Sequence, residues 1–441
     1  MIKPISFAFL IFMFLPSSYA STEFSAVWEQ ELAIDKNGKT QKFETLLDSE
    51  WNAHFSDNLD MTLIGRIRLD SATRLGQSQR SPDNYSSING PLYSDSHSEI
   101  SIREWYLDTK IAASYWRIGK QQVVWGQADG LKVLDVINPQ SYREFILDDF
   151  DDSRIPLTML NIEIPLADES SLQVLWIPDL TYNQNAEAGS PYQVSSPLLS
   201  PKLPSGVSLG GFTQSKPSSA IKDSDFGLRY SMFYEDWDIT YNYLYHTLDA
   251  PVYYQTQVRV PDQEEVHINA RYQRSHLLGA TASKAFDSFT LRSEVGYSTH
   301  SYHLIDSAST EFSSQQGVQQ SADLSSVIGL DWQGLENILL SVQWFQSHLL
   351  DYNDAVIRPR NNNILSLLYQ QTFENETWDL EVLNLHGIEQ NDGSLQTQLG
   401  YMLESNVRLW IGADFFYGKK QDFFGQFEKT DRVVLGSRVG F

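Results

Sequence analysis

The sequence predicts an all-β fold, a transmembrane antiparallel β-barrel of about 18 strands, on three observations. Apolar residues recur at every second position through most of the chain. After Leu15 no apolar run approaches the ~20 residues that a membrane-spanning helix needs. Yet 13% of the residues are aromatic while the mean hydropathy is negative, −0.34. In a barrel only alternate strand residues meet lipid, so a membrane protein can be polar on average.

From the N-terminus, Lys3 gives a short positive region, Ile5 to Leu15 is almost continuously apolar, and Ser18-Tyr19-Ala20 supplies small residues before a cleavage point. Residues 1–20 are therefore expected to be a secretory signal peptide, and the apolar run is too short to span a bilayer. With Lys3 removed, 31 basic residues stand against 56 acidic ones, a net charge of −25 for residues 21–441. Such acidity argues against nucleic acid as a partner, because a surface that tracks a phosphate backbone needs net positive charge. There is no cysteine, so neither a lipidated N-terminal cysteine nor a disulfide framework is available. No linker divides 21–441, and a single barrel is expected.

The alternation is clearest at the C-terminus. Val433, Leu435, Val439 and Phe441 share one face, and Arg432, Val434, Gly436, Arg438 and Gly440 the other. A strand ending in phenylalanine carries the expected signal for the barrel assembly machinery, at Phe441. Upstream, Leu409, Ile411, Ala413, Phe415 and Tyr417 oppose Arg408, Gly412 and Asp414, and Phe289, Leu291, Val295 and Tyr297 oppose Arg292, Glu294 and Gly296. Connections alternate in length. Glu235-Asp236, Asp287-Ser288, 333–335, 374–376 and Ser405-Asn406 are tight, whereas 183–223, 249–263 and 299–320 are long, as in outer-membrane barrels with short periplasmic turns and long external loops. Counting under that rule gives eighteen strands, one of them running from 264 to 286; 16 or 14 follow if the weakly alternating first third is divided differently. Trp237, Trp332, Trp378 and Tyr417 fall at strand ends, where interfacial aromatic girdles belong. A soluble β-sandwich has the same period, but it explains neither the leader nor the loop asymmetry.

The alternation stops after strand 5. Between Trp125 and Ile155 lie seven acids, Asp129, Asp135, Glu144, Asp148, Asp149, Asp151 and Asp152, and three bases, Lys132, Arg143 and Arg154. Asn138-Pro139 interrupts the run, and Ser141 could cap one or two helical turns through Phe145. Residues 126–154 are expected to fold into the barrel as a constriction loop or plug. Their carboxylates would meet lumen-side arginines such as Arg66, Arg68 and Arg117, setting up a transverse field. By parity Arg229, Arg292, Arg408, Arg432 and Arg438 also face the lumen, where pairing with neighbours such as Glu294 and Asp414 is favoured over guiding anions. Phe233, Phe345, Trp410 and Phe416 face inward too, as an apolar slide or as packing for the plug. The acids at 148–152 lack the glycine and spacing of a calcium loop.

Gly119-Lys120-Gln121, then Val124-Trp125-Gly126, then Asp135-Val136-Ile137-Asn138-Pro139 together resemble the signature of a largely uncharacterised family of porin-like Gram-negative outer-membrane barrels. The resemblance covers residues 101–156, with Lys120 where arginine is more usual. It implies an outer-membrane location among lipid and lipopolysaccharide and a transport role, in places for hydrophobic or lipid-like solutes, without naming a solute.

Catalytic signatures are lacking: there is no His-Glu-x-x-His, Gly-x-Ser-x-Gly or phosphate-binding glycine loop. His246, His267, His276, His348 and His386 fall near expected external strand ends, as surface residues. No enzyme, metal or cofactor is expected. The sequence points to a porin-like channel for small solutes narrowed by the acidic loop. A closed barrel that handles lipid-like molecules or serves an export assembly is the first alternative, and a non-transporting structural or adhesion barrel the second.

Overall fold

The structure, a computed structural model, describes residues 21–72, 75, 84–203, 206–261 and 263–441. The expected signal peptide lies outside these residues.

Eighteen antiparallel strands close on themselves. They are β1 (Ser21–Asp35), β2 (Thr40–Ser56), β3 (Leu59–Asp70), β4 (Ser98–Ile111), β5 (Ser114–Gln121), β6 (Leu157–Pro165), β7 (Ser171–Ile177), β8 (Asp225–Tyr234) and β9 (Trp237–Thr247). They continue with β10 (Arg274–Phe286), β11 (Phe289–Leu304), β12 (Val318–Trp332), β13 (Ile338–Leu349), β14 (Asn361–Phe373), β15 (Trp378–Gly387), β16 (Asp392–Glu404), β17 (Val407–Tyr417) and β18 (Arg432–Gly440). Each strand pairs with the next, and β1 pairs with β18 from Val27↔Gly440 to Asp35↔Arg432. Each strand thus has a neighbouring strand on both sides, the condition for strands to sit in hydrocarbon.

The expected faces are observed. Val433 and Leu435 are 48% and 47% exposed on the outside, and Val434 between them is 6% exposed. The same alternation places Ile328, Leu330, Val342, Trp344, Leu365, Leu367, Ile411 and Phe415 on the outer wall, which defines a transmembrane barrel.

At one end the strands are joined by tight turns whose residues adopt positive φ, such as Glu235 (48°), Asp236 (65°) and Asp287 (54°). These mirror-image turns match the twist of the flanking strands. Aromatic pairs cluster beside the turns: Trp237–Phe286 at 6.1 Å, Phe373–Trp378 at 6.2 Å and Trp378–Tyr401 at 4.7 Å. The other end carries most of the long loops.

The expected strand 264–286 is two strands. Arg274–Phe286 belongs to the wall. Gln263–Arg271 pairs instead with Val252–Val260 and, in parallel, with Val207–Ser215 in a small sheet above the barrel. The period-two pattern runs through both halves because both are strands; only the choice of partners separates them. His246 is a second departure: it is 9% exposed, packed at the loop end of β9 rather than lying on the surface.

Candidate functional site

The segment between β5 and β6 contacts side chains of strands all round the barrel. Its base is pinned by Asn138, whose Oδ1 accepts from Val123 N at 2.8 Å while its Nδ2 donates to Gln121 O at 3.3 Å and Ile155 O at 3.0 Å. Ile155 N donates to Pro139 O at 2.8 Å. The Asn-Pro pair thus joins the outgoing and returning chains. The helix expected after Ser141 does not form there. Ser141–Tyr142 bridges in parallel to Gln184–Asn185, Phe145 turns with φ 59°, and the single helical turn, α1, is Phe150–Ser153. The external chain at Gln184 offers a backbone partner that a helix would forgo.

Apolar knobs of the segment enter notches made by inward-facing glycines. Trp125 and Leu134 are fully buried. A Cβ on Gly227 of β8 would lie 3.0 Å from the Trp125 ring, and one on Gly279 of β10 2.7 Å from Leu134 Cδ2. Trp125 Nε1 donates to Gln173 Oε1 at 2.8 Å. Phe145 sits among Phe416 (6.1 Å), Phe423 (5.1 Å) and Phe427 (4.6 Å), the last two from the β17–β18 connection folding in.

The charged contacts divide into two groups. Toward β1–β3 and β18 they are buried. Arg143 pairs with Glu44 at 2.7 Å and with Asp70 at 3.5 Å. Glu144 pairs with Arg432 at 2.8 Å and Lys42 at 2.9 Å, and Arg432 also with Asp414 at 2.7 Å. Asp152, partly exposed, pairs with Arg66 at 2.6 Å; within the segment Arg154 pairs with the buried Asp135 at 2.8 Å and with the exposed Asp151 at 2.5 Å. Asp148 faces Glu144, Lys42, Arg143 and Arg68, and burial with the Glu144 charge pushes its carboxyl up to about 6. Asp149 is exposed.

Toward β11–β13 the contacts are half-open. Asp129 accepts from Arg292 at 2.5 Å and from Gln343 Nε2 at 2.8 Å, with its side chain 36% exposed. Arg292 also holds Asp331 at 2.8 Å.

Other expected partners differ. Arg117 does not face the segment: it pairs with Asp108 on the adjoining strand at 2.7 Å. Arg408 pairs with Asp379, and Arg438 with Glu29 at 2.8 Å. Arg68 reaches Glu44 at 3.4 Å, and Arg229 donates to Val124 O at 3.1 Å. Glu294 pairs with no arginine among the described residues; it accepts the backbone N–H groups of Gln127 and of Leu134, the latter at 3.2 Å. Phe345 and Phe416 are packed beside the segment and Trp410 is buried, but Phe233 is 53% exposed. Lys42, Glu44 and Asp70 are central here and sequence reading missed them, as it missed the glycine notches. The available signal was charge on the inward parity of β2, beside outward Phe43.

A closed barrel with an apolar exterior and polar side chains inside defines a porin-like transmembrane barrel. The chain belongs to the family described as protein of unknown function (DUF1302), whose profile matches residues 56–402. Among solved structures it is similar to OccAB1 of Acinetobacter baumannii, at 8% identity and TM-score 0.52 over 96% of both chains. It is similar also to OpdK of Pseudomonas aeruginosa solved with vanillate, at 10% identity and TM-score 0.51 over 96% of this chain and 98% of that one. At these identities the likeness is one of fold. No curated protein matches the sequence.

Proposed function

We propose that the protein is a porin-like channel of the Gram-negative outer membrane, passing small solutes through a lumen that residues 122–156 constrict. Its turn end would face the periplasm and its long loops the exterior, with Phe441 read by the assembly machinery. The observation that carries this reading is the asymmetric hold on the segment. One side is anchored by the buried Lys42–Glu144–Arg432 and Arg143–Glu44 contacts. The other is held by Asp129, 36% exposed and so open to water, on Arg292, which also pairs with the buried Asp331, and by the buried Glu294 on the backbone of Gln127 and Leu134. Exposed ion pairs between chains in high dielectric contribute only ~0–1 kcal/mol, whereas breaking a buried pair costs ~3–5 kcal/mol. The stretch around Asp129, between the Glu294-held Gln127 and Leu134, is therefore the part that moves, with the 141–154 limb as its anchor. Toward the turn end the wall pairs are solvated, Arg117 being 39% exposed, which supports a wet vestibule below the constriction.

Conductance in planar bilayers tests the reading. Reconstituted protein should conduct, and Asp129→Asn with Arg292→Gln should raise conductance or open probability. Absence of ion and solute flux, both in the parent and after deletion of residues 128–134, would refute it.

A further inference from the structure

The wall has a seam beside the inward segment. On one edge β4 pairs with β3 from Ser98 to Thr109. On the other it pairs with β5 only from Trp105 to Ile111, because β5 ends at Gln121 where the chain turns inward. Higher up, Tyr93–Ser94 lies against Ile100 and Glu99. Among the described residues, Ser101 to Glu104 have no strand on that edge.

Side chains take the place of the missing ladder. Lys120 Nζ donates to Ile102 O at 2.6 Å and to Asn89 O at 3.4 Å, and Gln122 Nε2 donates to Glu104 Oε1 at 2.9 Å. On the opposite margin Asn89 Nδ2 donates to Pro156 O at 2.8 Å, and Thr158 N to Asp179 Oδ2 at 2.9 Å. The seam lies at the level of apolar outer residues: Ile67 pairs in register with Ile100, and both are exposed, as are Leu92 and Tyr93. Irregular backbone at such depth is stable only where its polar groups are satisfied. These few side-chain bonds can be exchanged more readily than a continuous ladder.

Behind the seam is a cavity of about 60 Å³ whose lining includes Arg66, Arg68, Arg103, Lys120, Arg143 and Arg154, against two acids, Glu99 and Asp152. Three of these cations have no carboxylate to themselves. Arg103 reaches Asp152 at 3.8 Å, which Arg66 holds at 2.6 Å. Arg68 shares Glu44 with Arg143 and Lys42. Lys120 donates to carbonyl oxygens. The cavity has room for a small oxyanionic head in place of a few water molecules.

We propose that this seam binds an anionic amphiphile, its carboxylate or phosphate head on Arg68, Arg103 and Lys120 and its apolar tail leaving through the wall over Ile100, Leu92 and Ile118. The site would connect the lumen to the lipid laterally, beyond the axial path of water-soluble solutes. A multiply donating basic pocket selects the head, and outward apolar side chains at bilayer depth receive the tail. The entering head offers new acceptors to Lys120 as it leaves Ile102 O.

Binding to the full barrel in a non-ionic detergent tests this, with dodecanoate and dodecyl phosphate as probes and acetate, inorganic phosphate and dodecanol as comparators. The charged amphiphiles should bind at least about tenfold more tightly than any comparator. Arg103→Gln with Lys120→Met should abolish that advantage, and Arg103→Lys with Lys120→Arg should restore most of it. Folding of each variant is checked by its migration on unheated gels. If the Gln/Met pair does not fold, the parent must still lose dodecanoate affinity as salt rises, by screening of the head. Equal binding of dodecanol would overturn the head site, and equal binding of inorganic phosphate would leave a free-anion pocket without a lateral route. Dodecanoate binding that neither variants nor salt alter overturns the proposal. Conductance without amphiphile binding would sink this inference alone, and binding without conductance would sink only the channel reading.

Discussion

Replacing Glu144 by glutamine probes the anchor of the inward segment with one atom's change. The carboxylate holds Lys42 at 2.9 Å, Arg143 at 3.2 Å and Arg432 at 2.8 Å, all with side chains at most 8% exposed. Removing one member of a buried ionic contact costs ~3–5 kcal/mol. Glu31, Glu44 and Asp414 remain at 2.7 Å from Lys42, Arg143 and Arg432 respectively, which places the loss near the lower end, ~3 kcal/mol. At ~1.4 kcal/mol per tenfold, the balance between docked and displaced segment shifts by about a hundredfold. The β-ladders are untouched, so the barrel itself should survive. Single-channel recording should show a higher open probability, and trypsin should cut at Lys132, Arg143 or Arg154 in the folded variant. Glu404→Gln, at an exposed turn-end position, is the matched control. If Glu144→Gln keeps both the open probability and the protease resistance of the parent while remaining folded, the anchor role is refuted.

Further outcomes follow from the same contacts. Gly279→Val should press on Leu134, 2.7 Å from the new Cβ, and loosen the segment by ~1–3 kcal/mol of overpacking, seen as raised conductance without loss of the folded gel band. Asp148, which lies on this segment and not on a spanning strand, titrates at about 6 when docked and near the ordinary aspartate value of 3.8 when displaced. The docked form therefore holds its proton more tightly, is favoured below about pH 4, and loses that advantage as pH rises toward 6. Open probability should increase over this interval in the parent and lose that increase in Asp148→Asn. Glu144, held well below its ordinary range by Lys42 and the two arginines, acts oppositely and only at lower pH. With a net charge of −25 from residue 21 onward, the loop-end entrance should favour cations, read as a reversal potential across a salt gradient that weakens at high ionic strength. Gly119→Ala should impair assembly, because φ is +138° and its Cβ would approach Trp105 O to 2.2 Å; the folded gel band measures it.

The wall was legible because its determinants are local. Each strand must show apolar atoms to lipid and polar atoms to water, so Arg432, Val433, Val434 and Leu435 reveal their faces by parity alone. Tight turns reveal themselves through short polar connections such as Glu235-Asp236. The break in alternation between Trp125 and Ile155, with its stop at Asn138-Pro139, likewise marked a separate element, although the strand before it ends at Gln121, three residues earlier than its alternation suggests.

Pairing across the lumen was not legible, since it joins residues hundreds of positions apart that obey no period. Parity placed Arg117 and Arg432 on the same inner face. Yet Arg117 found Asp108 next door and Arg432 found Glu144 on the segment, a difference set by height in the barrel. Glu294 looked like an arginine partner but meets backbone N–H groups of the segment, because the chain passes directly over it.

By itself the sequence determined the barrel, its even strand count, its two faces and where the alternation is interrupted, because alternation and chain direction are properties of consecutive residues. Tertiary structure alone decided which cations are buried and which face water, and that Gly227 and Gly279 are notches. It also decided that β5 is too short to close its seam with β4. Each of these depends on the distance between surfaces that only closure of the cylinder brings together.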